Sequence, residues 1–203
     1  MPPVKELSSI NNRIQESSAA GDRIFSILDI EPSIKDEPDS QPLNEFNNTV
    51  EFKNVSFHYD DSDELILKDI NLSVKKGEII AFVGSSGAGK TTLVDLIPRF
   101  FDPTSGTIYI DGTDIKKIKL SSLRKLMGIV TQETVLFNDT VRNNIAYGLT
   151  DYPEDKIIAA VKAANAEKFI NELPNGFNTI IGEKGTKLSG GQRQRISIAR
   201  ALL

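Results

Sequence analysis

The chain has no cysteine and one histidine, and its Lys and Arg (24) do not outnumber its Asp and Glu (28). Without cysteine there is no disulfide and no thiolate metal site, which agrees with a reducing compartment. A net charge of -4 leaves no electrostatic footprint for nucleic acid. Long apolar runs are missing as well: none approaches the ~18 residues that span a bilayer, and no signal peptide opens the sequence. The chain by itself therefore reads as soluble. What is present, 203 residues with 39% hydrophobic content, suits one globular domain with a tail.

The stretch that organises the rest is Gly84-Ser85-Ser86-Gly87-Ala88-Gly89-Lys90-Thr91-Thr92, which fits the phosphate-binding pattern G-x-x-x-x-G-K-S/T. Ahead of it, Glu78 to Val83 is a short apolar run of the kind found in buried strands, and behind it Thr91 to Phe100 has helical apolar spacing. Glycines at 84, 87 and 89 let the backbone turn its N–H groups inward at phosphate oxygens, and the following helix adds its positive end. Lys90 supplies a mobile charge for the β- and γ-phosphates, the Thr91 hydroxyl is placed to ligate Mg²⁺, and Thr92 supports the α-phosphate side.

Upstream, Val4, Leu7, Ile10, Ile14, Ile24 and Leu28 give residues 1–30 a helical pattern with a weak middle at Ala19-Ala20-Gly21. Spacing alone favours an amphipathic helix packed on its own domain. Residues 31–48, with Pro32, Pro38 and Pro42 among polar side chains, read as a linker. From Thr49 the alternation Val50, Phe52, Val55, Phe57 predicts a strand or strand pair, and Ile70, Leu72, Val74 another, so an antiparallel subdomain precedes the phosphate loop. Tyr59 closes the first strand. Such a tyrosine is usually plain surface, yet its aromatic face is also what an adenine ring would stack on.

Farther on, Thr107 to Ile110 and Gly128 to Thr131 read as strands and Ser121 to Met127 as a short helix, an alternation that suggests α/β. Tyr152 to Phe169 reads as one helix, started by Asp151 or by Tyr152-Pro153-Glu154. The second informative stretch is Leu188-Ser189-Gly190-Gly191-Gln192, leading into an apolar-periodic run that ends at Leu203. Ser189 could simply cap a helix. A cap does not explain Gly190-Gly191, which weaken a helix unless something, such as another phosphate, must approach the backbone closely.

The two motifs in this order strongly resemble the nucleotide-binding domain of ATP-binding-cassette (ABC) transporters, over residues 49–203. The resemblance implies an α/β fold, a P-loop NTPase of the ABC type with an antiparallel β subdomain and a helical subdomain, incomplete at its C-terminus. It implies ATP and Mg²⁺ as ligands, with Tyr59 stacking on adenine and Gln132 touching Mg²⁺ alongside Thr91. It further implies that Ser189, Gly190, Gly191 and Gln192 face the γ-phosphate held by a second such domain in a head-to-tail dimer.

Gln132 to Ile145 and Gly182-Glu183-Lys184-Gly185 look like those of exporters. Residues 1–30 resemble the cytosolic end of the last membrane helix in lipid- and multidrug-exporting half-transporters. That resemblance implies a transmembrane domain in the same polypeptide and a place at the cytoplasmic face of a membrane. The family's Mg²⁺-binding aspartate, catalytic glutamate and switch histidine follow the helix that its signature motif, here Leu188 to Gln192, opens, so no catalytic residue is assigned here and all are expected beyond Leu203. His58, beside Tyr59, is not the switch. Two other readings stand beside an exporter ATPase: a soluble ABC ATPase unconnected with transport, and a pure binding module.

Overall fold

The computed structural model describes residues 2–149 and 152–203; Met1, Thr150 and Asp151 lie outside, as do the side chains of residues 2–9, 11 and 12, Val4 and Leu7 among them. The Asp151 start signal is therefore outside the described residues. Helix α1 (Pro2–Leu28) leads to strands β1 (Thr49–Phe57) and β2 (Leu67–Lys75), helix α2 (Lys90–Asp95), and strands β3 (Ser105–Ile110) and β4 (Thr113–Asp114). Helices α3 (Leu120–Lys125), α4 (Val141–Ile145), α5 (Glu154–Ala163), α6 (Glu167–Asn171) and α7 (Gly190–Leu202) follow.

The four strands form an antiparallel sheet in the order β2-β1-β3-β4. Its apolar spacing jumps from Phe52 to Val55, and the structure resolves this as one bulged strand rather than two. Asn54 takes φ 52, and the register against β2 shifts between Phe52 and Val55, so Phe52, Val55 and Phe57 all reach the core. The bulge sits on Gly106 of β3, where a Cβ would come 2.2 Å from the Asn54 carbonyl oxygen. Under the sheet, Leu93 and Leu96 after the phosphate loop pack with Ile108, Ile110, Ile115, Ile118 and Leu123. A second core lies in the helical part, where Val141, Ile145, Ile157, Val161, Ile170, Ile181, Ile196 and Ala199 are buried together.

Residues 31–48 run as a strap along the segment from the β3–β4 turn to the start of α3. The Leu120 N–H donates to Asp36 Oδ1 at 2.7 Å, Ser40 is buried, and Gln41 exchanges backbone bonds with Lys117 and Lys119. Leu43 N–H donates to Ser122 Oγ, and the N–H groups of Asn47, Asn48 and Thr49 converge on the Asp111 carboxylate at 2.6, 2.7 and 2.9 Å. Burial pushes the Asp111 carboxyl up, but these three donors and Lys76 outweigh it and hold the group below the ordinary carboxylate value. By contrast, Ile10, Ile14, Ile24, Phe25, Ile27 and Leu28 of α1 are all exposed, so the described apolar side chains of this helix are not packed on the domain. No helix among the described residues is long and apolar enough to cross a membrane.

Four expectations change. The runs Glu78 to Val83 and Gly128 to Thr131 form no strands: among the described residues no neighbouring strand offers them a ladder, and Ile79 and Val83 are 96% and 91% exposed. The sheet present is accordingly antiparallel throughout. Helix α2 stops at Asp95 instead of reaching Phe100, because Pro98 and left-handed Arg99 (φ 55) bend the chain. The buried Arg99 guanidinium fixes that bend by pairing with both Asp102 carboxylate oxygens, at 2.7 and 3.2 Å. Tyr152 to Phe169 is not one helix, since Asn165 (φ 53) separates α5 from α6.

Candidate functional site

The loop between residue 83 and α2 is open. Residues 84–88 are exposed, while Gly89 is buried at the start of α2 in the left-handed region (φ 78). Glycine is required there twice over, since a Cβ would also come 3.0 Å from both Ile66 and Leu67 side chains. Gly87 is left-handed too (φ 80) and faces open space. Lys90 folds back over the loop, its Nζ donating to the carbonyls of Gly84 at 3.1 Å and Ser85 at 2.7 Å. Its charge is thus held above the loop by two neutral acceptors that an anion's oxygens can replace. The Thr91 side chain is exposed and Thr92 is buried. An uncrowded glycine loop, a retained ammonium and an exposed hydroxyl fit a Mg²⁺-bound polyphosphate.

Tyr59 stands beside this loop. The Tyr59 and Thr92 hydroxyls share a hydrogen bond at 3.0 Å. The Tyr59 ring meets Phe57 edge-on with centroids 4.9 Å apart and Phe101 at 5.2 Å. It borders a cleft of 390 Å³. Sequence reading thus selected a tyrosine that the fold joins directly to the phosphate-loop helix. It passed over Ile66, which packs against Gly89; the signal was the apolar pair Ile66-Leu67 at the start of β2.

The second motif opens α7. Ser189 Oγ accepts from the Gln192 N–H at 3.3 Å, and Gln192 Oε1 accepts from the Ser189 N–H at 2.8 Å, a reciprocal cap. The capping reading of Ser189 therefore holds, and it takes in Gln192 as well. It leaves the glycines unexplained: among the described residues nothing lies within 4 Å of a Cβ at Gly191, and only the tip of Arg193, at 4.0 Å, meets one at Gly190. Neither has the positive φ that would call for glycine. Gln132 and Gly190 line one open groove with Lys184, Thr186 and Arg193. Among the described residues no hydrogen bond joins Gln132 or the α7 motif to the phosphate loop.

Behind that groove, two residues without a motif hold the 135–145 segment. Buried Asn144 donates to the carbonyls of Phe137 and Thr140 and accepts from the Phe137 N–H. Arg200 of α7 donates to the carbonyls of Asn144 at 2.8 Å and Val135 at 2.9 Å, its pKa lowered by burial. Only helical periodicity, which puts Arg200 one turn beyond Ile196, hinted at this tie.

The profile of the ABC transporter family matches residues 67–203. The chain is 57% identical over 201 residues to an ATP-dependent lipid A-core flippase of Syntrophus aciditrophicus, covering 99% of this chain and 33% of that protein. It is 49% identical over 201 residues to the putative multidrug export ATP-binding/permease protein YgaD of Bacillus subtilis, covering 99% of this chain and 35% of that protein. A bacterial Atm1-family ABC exporter solved with ATP bound superposes with a TM-score of 0.85 at 42% identity, over 98% of this chain and 35% of the exporter. The chain thus spans about a third of the length of the relatives it matches.

Proposed function

The chain belongs to the ABC transporter family, and from that premise we propose that it is the ATP-binding part of an exporter that couples ATP binding and hydrolysis to movement of a substrate across a membrane. Residues 1–30 are the cytosolic end of the last membrane helix, 31–48 the connection, and 49–203 the ATP-binding domain, at the cytoplasmic face. The exposed apolar side chains of α1 support that reading. The relatives' names, a flippase and exporters, favour it over a soluble ATPase.

In this reading Lys90 exchanges its two carbonyl partners for β- and γ-phosphate oxygens, while the backbone from Gly84 to Lys90 turns N–H groups toward them. Thr91 and Gln132 would hold Mg²⁺, which neutralises phosphate charge when bound. Tyr59 stacks on adenine. Ser189, Gly190, Gly191 and Gln192 close on the γ-phosphate held by a second nucleotide-binding domain, head to tail, so two ATP molecules join the pair. Loss of the γ-phosphate removes charge-assisted bonds at that interface, and the domains separate and carry the membrane part with them.

The observation that carries this is Gly191: the helix start already has its reciprocal Ser189–Gln192 cap, and among the described residues nothing asks for glycine there. A carboxylate at that point would meet the partner's phosphate as a like charge. Gly191→Asp in the full-length protein is expected to leave ATP affinity at its own loop unchanged and to lower turnover by on the order of a hundredfold, about 2.7 kcal/mol. Unchanged phosphate release would remove Gly191 from the interface. Tyr59→Ala is expected to weaken a fluorescent ATP analogue by about 1–3 kcal/mol, the worth of a base–aromatic stack, and Tyr59→Phe to bind nearly as wild type. Equal losses would assign the effect to the Tyr59–Thr92 hydroxyl pair instead of the ring.

A further inference from the structure

We infer that Ile34 of the strap, lining the same cleft as Tyr59, walls that cleft for the nucleotide base, and so ties base binding to helix α1; the inference rests on the reading of Tyr59 as the stacking residue. Tyr59 is held on three sides, by Phe57, by Phe101 and through its hydroxyl by Thr92. Its remaining side borders the 390 Å³ cleft, and across that cleft the wall is the strap, at Ser33 and Ile34. Ile34 is half-buried, whereas Ser33, Lys35 and Asp36 around it are exposed. It is the side chain this part of the strap turns inward.

Its place along the chain gives that shared cleft its consequence. Two residues later, Asp36 accepts the Leu120 N–H, and from there to Thr49 the strap is fastened to the segment 111–122. Six residues before Ile34, α1 ends at Leu28 with its described apolar side chains exposed. Ile34 therefore lies where the fastened strap gives way to the unpacked helix. A shift of α1 reaches the anchored domain first at the cleft beside Tyr59, which is roomy enough for the strap to move. If the position of the strap changes base affinity, base binding must bias the position of the strap by the same free energy.

The test uses the full-length protein and two ligands, ATP and inorganic tripolyphosphate, which shares the phosphates and lacks the base. Ile34→Ala is expected to weaken ATP on the order of three- to tenfold, less than loss of the stacking ring itself, and to leave tripolyphosphate binding unchanged. Ile34→Leu, which keeps the volume, should restore ATP affinity. Equal weakening of both ligands would indicate a general loss of structure and overturn the inference. Unchanged ATP affinity in Ile34→Ala, with Tyr59→Ala still weakened, would overturn it while leaving the base-stacking role of Tyr59 standing. If Tyr59→Ala also binds ATP normally, both fall.

Discussion

Lys90→Ala is expected to weaken ATP binding by on the order of ten- to a hundredfold, the effect of losing charge-assisted hydrogen bonds at about 1.5–3 kcal/mol. Lys90 is the side-chain cation of the loop, and its ammonium lies over the Gly84 and Ser85 carbonyls; among the described residues no carboxylate pairs with it to hold it away from a phosphate. Exchanging two neutral acceptors for anionic oxygens strengthens each bond it makes. The half-buried Lys90 also braces the loop, so the variant must be shown to melt as wild type does before the titration is read. A fluorescent ATP analogue gives the affinities. Equal binding by wild type and Lys90→Ala in a folded protein would overturn the phosphate-cradle assignment.

The sequence made the local chemistry legible wherever one short segment carries it. Gly84 to Thr92 and Leu188 to Gln192 declare themselves by residue type and spacing, and the alternation from Val50 to Phe57 declares the sheet. What spacing does not encode is what a segment packs against. Prolines made residues 31–48 look like a loose connection, yet Asp36, Gln41 and Leu43 fasten them by bonds to residues about 80 positions away. Asp111-Gly112, a turn dipeptide between Ile110 and Thr113, could have been noticed, but not that its carboxylate gathers three N–H groups from the strap. The reverse failure is Glu78 to Val83: its composition suits a buried strand, but a strand needs a neighbour as well as a composition.

That missing neighbour sets the largest expected effect on stability. The sheet core and the helical core are each well buried, but Ile79, Ile80, Phe82 and Val83, and likewise Ile129 and Val130, face solvent. Side chains of this kind contribute about 1.5–3 kcal/mol each when buried. Ile79 and Val83, almost wholly uncovered, therefore forgo about 3–6 kcal/mol between them, and Ile80 and Phe82 a further part, a large share of a domain's whole stability of about 5–15 kcal/mol. The same run leads directly into Gly84, so the anchor of the phosphate loop is the part left without a ladder. The resemblance to ABC domains implies that a strand continuing past α7 pairs beside this run in a parallel sheet buried on both faces. The 203-residue chain expressed by itself is accordingly expected to melt low and without a sharp transition, to aggregate through its unpaired apolar edge, and to release no phosphate above background. A longer form continued past Leu203 through the following strands is expected to melt cooperatively, to be stabilised by ATP and to turn it over. Parallel melting curves and phosphate-release assays of the two forms decide the matter: a cooperative, ATP-stabilised transition with steady turnover from the 203-residue chain would show that Ile79 to Val83 needs no further strand.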